Sequence, residues 1–159
     1  MDGESTTRID TEFLCSLHSP MGAAPQAVDA GLTIYQTGVG GWARGPKLSG
    51  EILTPTGDWL RALPGGCLRV DARMSLKTQD GALVYIEYGG VISVSAENFA
   101  RMSQGARLTA EDMYFITTPQ FRTAAPQHAW LNHVQAIGKL VALQGGEGGY
   151  VRYDLFAIR

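Results

Sequence analysis

Two runs of alternating apolar and polar residues flank the turn-forming segment Gln79–Gly81. In the first run Leu68, Val70, Ala72, Met74 and Leu76 share one face, and Arg69, Asp71, Arg73, Ser75 and Lys77 share the other. In the second run Val84, Ile86 and Tyr88 oppose Leu83, Tyr85 and Glu87. Asp80 and Gly81 both tolerate the positive φ of a tight hairpin turn. The pattern therefore predicts a β-hairpin with one apolar face and one charged face.

The rest of the chain predicts further strands separated by glycine- and proline-bearing turns. They cover residues 12–18, 31–37, 47–53, 114–121, 130–143 and 151–158, with a turn at 54–57. A mobile glycine-rich loop carrying Trp42 is predicted over 38–46, and Gly138 predicts a bulge or a close backbone approach. One short helix is predicted near 96–103, capped by Ser95 and closed by Gly105. Eight or more short strands favour a mainly β fold, a closed antiparallel β-barrel, over a sandwich.

Length and charge narrow the class of protein. With 159 residues, we expect a single domain over 10–159 and a flexible tail over 1–9. A net charge of -2 argues against an electrostatic nucleic-acid binder, and no run reaches the roughly 18 apolar residues of a membrane span. The first ten residues lack the pattern of a secretory signal, and Cys15 and Cys67 are far apart. We therefore expect a cytoplasmic protein with two free thiols.

No strong catalytic signature is present in the sequence. It lacks a GxSxG elbow, an HExxH motif and a dinucleotide-binding fingerprint. The three histidines, His18, His128 and His133, are too scattered for a local metal motif. The sequence therefore predicts a function that needs no cofactor, metal or nucleotide.

Two charged residues are the leading candidates for a site. Asp58 follows a Pro-Thr-Gly turn and is either a turn aspartate or a carboxylate at the mouth of the barrel. Arg73 is either a surface arginine or, if it points inward, must pair with Asp58, Glu87 or a ligand carboxylate, because a lone buried charge is too costly.

Aromatic and amide side chains supply the other candidates. Trp130 and Asn132 share a face of the predicted strand 130–143, which suits a planar, oxygen-bearing ligand but equally a capped core position. The remaining candidate ligand contacts are Trp42, Trp59, Tyr114, Arg122 and His128.

The register of the hairpin decides whether Arg73 and Glu87 can meet. A two-residue turn sets Arg73 opposite Tyr88 and Glu87 opposite Met74, on different faces. A three-residue loop over Gln79–Gly81 sets Arg73 opposite Glu87. We favour the second register, and with it a cavity lined by Asp58, Arg73, Glu87, Trp130 and Asn132.

Four motifs in order resemble one family. They are PTGDW (55–59), VDARMSLKTQDGALVYIEYGG (70–90), YFITTPQF (114–121) and HAWLNHVQAIG (128–138). The chain resembles the DUF3237 family, also called UPF0311, over about residues 10–159. The resemblance implies a small closed barrel of the calycin or allene-oxide-cyclase kind, often self-associating, and marks Asp58, Trp59, Arg73, Asp80-Gly81 and Trp130–Asn132 as motif positions. The chain departs from the pattern at Arg122, where we expect an acidic residue.

Three functions remain open. The first is a cofactor-independent isomerase, cyclase or lyase acting on an oxygenated, aromatic or polyketide-like molecule in the barrel. Glu87 or Asp58 would take a proton, Arg73 with Asn132 would stabilise an enolate oxygen, and Tyr85 would donate. The second is a non-catalytic carrier or sensor of such a ligand, and the third is a structural homo-oligomer. The resemblance and the modest charge favour a homodimer, with neither nucleic acid nor membrane as a partner.

Overall fold

The computed structural model describes residues 7–159, so most of the predicted N-terminal tail lies outside the described residues. The strands are β1 (Thr11–Pro20), β2 (Gln26–Asp29), β3 (Leu32–Gln36), β4 (Trp42–Arg44), β5 (Gly50–Leu63), β6 (Cys67–Thr78), β7 (Leu83–Ser93), β8 (Arg107–Thr109), β9 (Tyr114–Arg122), β10 (Ala136–Gln144) and β11 (Tyr150–Ile158). The helices are α1 (Ala96–Ser103) and a 3₁₀ helix (Pro126–His133). Neither helix is long and apolar enough to cross a membrane, and this holds for the whole described chain.

Eight of the strands close into an antiparallel barrel, which confirms the predicted fold class. The circuit runs β1–β11–β10–β9–β7–β6–β5–β4 and returns to β1. Closure leaves no unpaired edge within the circuit. The β2–β3 hairpin continues the sheet beyond the circuit, because β3 pairs with the second half of β5, at Gly57–Arg61.

The two ends of the barrel differ in what lies over them. We call the end at Thr11, Thr78 and Arg122 the lower end, and the end at Pro20, Cys67 and Tyr114 the upper end. The 3₁₀ helix joins β9 to β10 at the lower end and buries Leu131 completely. At the upper end, α1 follows β7 and is capped by Ser95, whose side chain accepts a hydrogen bond from the Asn98 backbone N–H, as predicted.

The β6–β7 hairpin has the register that the sequence favours. Arg73 lies opposite Glu87, with Gln79–Gly81 between the paired ends. Gly81 has a φ of 83°, which the turn requires and which glycine adopts without strain. The apolar face of the hairpin is buried, and Met74, Leu76, Val84 and Ile86 belong to the core of the barrel.

Gly138 makes the close backbone approach that its position predicts. A Cβ atom there would lie 2.3 Å from Thr117 Oγ1 and 2.9 Å from Leu155 Cδ2. A larger residue at this position would require the Thr117 and Leu155 side chains to shift.

Three local predictions are wrong and two short strands are missed, mainly because long-range pairing decides these segments. Residues 54–57 are not a turn; they lie inside β5, where the pairing with β6 shifts between Leu53 and Gly57. The segment 38–46 is not a mobile loop, since Trp42–Arg44 forms β4 between β1 and β5. The sequence reading also misses β2 and β8. The predicted strand 130–143 starts too early, because Pro126 opens the 3₁₀ helix and β10 begins only at Ala136.

Candidate functional site

One rung of the barrel interior places a carboxyl group among tyrosine side chains. Asp58 on β5 lies opposite Tyr35 on β3 and opposite Ala72 on β6, and Ala72 lies opposite Tyr88 on β7. Directly opposed residues of antiparallel strands share a face of the sheet. Because Ala72 is buried in the core, Asp58 and Tyr88 also point into the barrel, and Tyr35, on the extension of the sheet at β3, lies on the same face as Asp58.

Tyr153 on β11 completes this group from the opposite wall. Its ring meets the ring of Tyr88 edge to face, with the centroids 6.3 Å apart. It meets the ring of Phe115 in the same way at 5.2 Å. Edge-to-face contacts fix the orientation of aromatic rings, so the phenol groups hold defined positions. We call Tyr35, Asp58, Tyr88 and Tyr153 the lumen cluster.

The environment of Asp58 makes its carboxyl group a weaker acid than an ordinary aspartate. Burial raises its pKa, the hydrogen bond from the Asp71 backbone N–H lowers it, and the negative charge of Asp71 raises it; together these effects place the pKa at about 6. That bond joins the Asp71 nitrogen to Asp58 Oδ1 over 2.9 Å. Within the described chain, no cationic side chain contributes to this pKa. A carboxyl group of this kind exchanges protons readily near neutral pH.

The tyrosines of the lumen cluster keep their protons. Burial raises the pKa of Tyr35 and of Tyr88, and the negative charge of Asp58 adds to both shifts. Burial also raises the pKa of Tyr153, followed by the effects of Tyr88 and Asp58. At neutral pH the cluster therefore offers phenol O–H donors beside one carboxyl group.

The hydroxyl groups of Tyr88 and Tyr153 are not hydrogen-bonded to Asp58. Asp58 acts on their pKa values through its charge and not through a hydrogen bond. Among residues 7–159, every side-chain oxygen or nitrogen that is fully shielded from solvent has a hydrogen-bond partner. Neither phenol forms a side-chain hydrogen bond with the described residues, so both oxygens retain contact with accessible space.

Arg73 and Glu87 lie outside the barrel, so the prediction that they line a cavity with Asp58 is wrong. They are paired in register, but the side chain of Arg73 is 51% exposed and that of Glu87 is also exposed. Arg73 contacts Asp71, with nitrogen and oxygen 3.5 Å apart. The alternation with buried Ala72 and Met74 decides the direction, because two charges are solvated more cheaply outside than buried together.

Three more candidates share this outer face. The Tyr85 hydroxyl donates to Glu87 Oε2 at 3.2 Å, and Arg122 lies opposite Tyr85. Trp59 is 36% exposed, with the Arg73 guanidinium carbon 5.7 Å from its ring centroid. A cavity of about 260 Å³ lies on this face, lined by Asp71, Ala72, Arg73, Glu87, Tyr88, Gly89, Thr118 and Gln120.

Trp42 and Tyr114 belong neither to the lumen cluster nor to the outer face around Arg73. Trp42 on β4 stacks on His18 with the ring centroids 5.2 Å apart, and the Arg44 guanidinium carbon lies 4.2 Å from its centroid. Tyr114 begins β9 at the upper end and is 57% exposed. Neither residue belongs to the lumen cluster.

The 3₁₀ helix places the last three candidates at the lower end. Asn132 does not face a ligand site: its Oδ1 accepts from the Thr123 backbone N–H and its Nδ2 donates to the Thr123 carbonyl, both at 2.9 Å. His128 Nε2 lies 2.9 Å from Asp80 Oδ2. His128 and Trp130 line a cavity of about 650 Å³. The structure thus divides the predicted single site between the lumen, the outer face and the lower end.

The sequence reading did not nominate the three tyrosines of the lumen cluster. The alternation of β7 and β11 already places Tyr88 and Tyr153 on inward faces, so for these two the signal was present. Tyr35 gives no such signal, since its place beside Asp58 depends on the pairing of β3 with β5.

The described residues contain two free cysteines and no cluster of side chains suited to a metal ion. Cys15 and Cys67 are free thiols, and burial raises the pKa of the Cys15 thiol to about 12. No group of three or more histidine, cysteine or acidic side chains within residues 7–159 is placed to hold a metal ion.

Fold and site together define a class: a closed eight-stranded antiparallel barrel with a carboxyl–tyrosine cluster in its interior. The chain belongs to the family described as "Protein of unknown function (DUF3237)", whose model matches residues 8–158. The predicted family is therefore confirmed.

Relatives and solved structures agree with this assignment. A UPF0311 protein of Rhodopseudomonas palustris is 25% identical over 135 residues, which cover 84% of this chain and 88% of that protein. Its crystal structure superposes with a TM-score of 0.83 at 22% identity and covers 97% of this chain and 100% of that chain. A protein of Acinetobacter baumannii described as beta-barrel like gives 0.77 at 31% identity, with 98% and 99% covered. A crystal structure of an enzyme from Penicillium herquei gives 0.61 at 20% identity, with 99% of both chains covered.

Proposed function

We propose that the chain is a cofactor-independent enzyme that performs acid/base chemistry on a small molecule at the lumen cluster. The observation that carries the proposal is the carboxyl group of Asp58, with a pKa of about 6, facing tyrosine hydroxyls inside a barrel. Groups with strongly shifted pKa values in a concave, partly buried place are typical of active sites. The Penicillium herquei protein of the same fold, described as an enzyme, is consistent with this class.

The reaction is a proton transfer next to a carbonyl group, of the isomerase, cyclase or lyase type. The Asp58 carboxylate takes a proton from the carbon beside the carbonyl, and the electron pair moves onto the carbonyl oxygen. The hydroxyl of Tyr88 or Tyr35 donates a hydrogen bond to the enolate oxygen that forms. The protonated Asp58 then returns the proton at another position or to a leaving group.

The lumen cluster favours a neutral, oxygenated and aromatic substrate. Aromatic rings line the cluster on two sides, at Tyr88 and Tyr153, and suit a flat ring system. The Asp58 carboxylate would repel an anion, and no cationic side chain of the described residues offsets its charge. Arg73, Glu87, Tyr85 and Asn132 have no role in this proposal, because none of them points into the lumen.

Solvent deuterium exchange tests the proposal without knowledge of the natural substrate. A suitable probe is 2-tetralone, a neutral aromatic ketone with exchangeable protons beside its carbonyl. The wild-type protein should accelerate the exchange observed by NMR, and Asp58→Asn should reduce it to the buffer rate. Tyr88→Phe should lower the rate by about 10²-fold, which is the usual effect of losing one oxyanion donor.

Arg73→Ala is the matched control, since it removes a charge on the outer face near the same strands. It should keep the wild-type exchange rate. A loss of exchange with Arg73→Ala but not with Asp58→Asn would overturn the proposed site.

A non-catalytic carrier or sensor is the second candidate. The chain of edge-to-face contacts from Phe115 through Tyr153 to Tyr88 favours it, because such a wall binds an aromatic ring without any chemistry. A carrier would bind 2-tetralone without accelerating exchange, and Asp58→Asn would leave its affinity unchanged. The predicted homodimer and the predicted cytoplasmic location stay predictions; light scattering at micromolar concentration tests the first.

A further inference from the structure

The lower end of the barrel has a cavity of its own, remote from the lumen cluster along the strands. Its volume is about 650 Å³, within the usual range of about 300–1,000 Å³ for small-molecule sites. Its lining includes Glu12, Lys47, Gln127, His128, Trp130 and Arg159. This lining combines one aromatic wall with a cationic rim.

Of the three side chains of this lining that are charged at any ordinary pH, Lys47 and Arg159 are cationic and Glu12 is anionic. Glu12 Oε1 lies 3.2 Å from Lys47 Nζ, and Glu12 Oε2 accepts from Arg159 at 2.7 Å and 3.0 Å. Two cations thus share one carboxylate. An ammonium has three donors and a guanidinium five, so both retain N–H groups for a further acceptor. Two further carboxylates lie near the rim and have partners of their own: Asp80 is bound by His128 and Gln127, and Asp10, which pairs with Arg159 through the backbone, contacts Arg8 at 2.7 Å.

The aromatic wall is held in place before any ligand arrives. Trp130 is half-buried and packs against the core. The 3₁₀ helix that carries it is fixed at one end by the contact of His128 with Asp80, and at the other by the two hydrogen bonds between Asn132 and Thr123. The backbone of Arg159 is also fixed, because it exchanges two hydrogen bonds with Asp10. A preformed site loses less free energy on binding.

From these features we propose that this cavity is a second binding site, for a small aromatic monocarboxylate. The ring lies against Trp130, and the carboxylate accepts hydrogen bonds from Lys47 and Arg159. The single net positive charge of the rim suits one negative charge, since Glu12 would repel a second. This site and the lumen cluster select opposite ligands, because the lumen cluster presents a carboxylate and no cation. The inference is independent of the proposed enzymatic activity.

Isothermal titration calorimetry with 2-naphthoate tests the proposal. We expect a Kd below about 1 mM, and weaker binding of 2-naphthalenemethanol, which has the same ring system without the charge. Lys47→Gln should weaken naphthoate binding by about tenfold, the usual effect of losing one charge-assisted hydrogen bond. Glu12→Gln should strengthen it, because it releases both cations. Asp58→Asn should leave it unchanged.

These outcomes separate the lower cavity from any other site. Lys47 and Glu12 are partly exposed, so their variants should fold, and far-UV circular dichroism verifies this. No heat signal with 2-naphthoate at about 1 mM would overturn the proposal. The proposal would also be overturned if Lys47→Gln left the affinity for 2-naphthoate unchanged, or if Glu12→Gln lowered it.

Discussion

Two aspartates of this barrel have opposite acidities, although each stands next to a glycine in the sequence. Asp58 points into the lumen, where burial and the charge of Asp71 raise its pKa to about 6. Asp80 lies in the β6–β7 turn at the lower end, where hydrogen bonds from Thr78, His128 and Gln127 hold its pKa far below the usual value. Surroundings, rather than residue type, decide which carboxyl group can transfer protons.

The comparison also distinguishes a carboxyl group suited to proton transfer from one that stabilises the fold. The carboxylate of Asp80 is committed to three partners and ties the hairpin turn to the 3₁₀ helix. Asp58 accepts one backbone hydrogen bond, at Oδ1, and faces phenol groups that are not bonded to it. A proton-transfer group needs a pKa near neutrality and an oxygen that is not committed to other partners, and of these two aspartates Asp58 fits both conditions better.

The largest effect on stability should come from Asp58→Asn. The raised pKa means that the folded state binds the proton of Asp58 more tightly than the unfolded state does. The resulting stabilisation is complete below the unfolded value of 3.8 and is lost as the pH rises through about 6. The variant has no carboxyl group to ionise and does not undergo this loss. It should therefore exceed the wild type at neutral pH by about 3 kcal/mol in free energy of unfolding.

Urea unfolding at several pH values measures this difference. The gap between variant and wild type should grow between pH 3.8 and about 6 and then stay constant. A gap that does not depend on pH would mean that Asp58 ionises as an ordinary surface aspartate.

A smaller effect of opposite sign should come from Asp80→Asn. The lowered pKa of Asp80 gives stability that is present above the unfolded value of 3.8 and is lost as the pH falls below it. The variant should therefore melt at a lower temperature than the wild type at neutral pH, and the two should converge in acid. Calorimetry measures both melting temperatures. The variant should still accelerate deuterium exchange into 2-tetralone, and a loss of exchange would remove the distinction between the two aspartates.

The sequence predicted the barrel well wherever local alternation carries the signal. The faces of β6 and β7, the turn at Gly81 and the α1 cap all follow from neighbouring residues. The start of β10 could not be predicted in this way, and neither could β4, which depends on pairing with two distant strands.

The candidate site was predicted only in part. Asp58 was a candidate because it was expected to follow a turn; the structure instead places it inside β5, and its pairing opposite Ala72 is what directs it into the lumen. Arg73 was placed wrongly because a favourable ion pair with Glu87 was weighed above the alternation with Ala72, although the same pair is possible outside. Tyr88 could have been nominated from its face, whereas Tyr35 could not.

The most direct test of the account is the pKa of Asp58 itself. Carbon-13 NMR of aspartate-labelled protein follows each carboxyl group through a pH titration, and the resonance missing from Asp58→Asn identifies this one. The account predicts a midpoint of about 6 for Asp58. A midpoint at or below the ordinary value of 3.8 would show a permanently ionised carboxylate, and the proposed proton transfer at the lumen cluster would then be wrong.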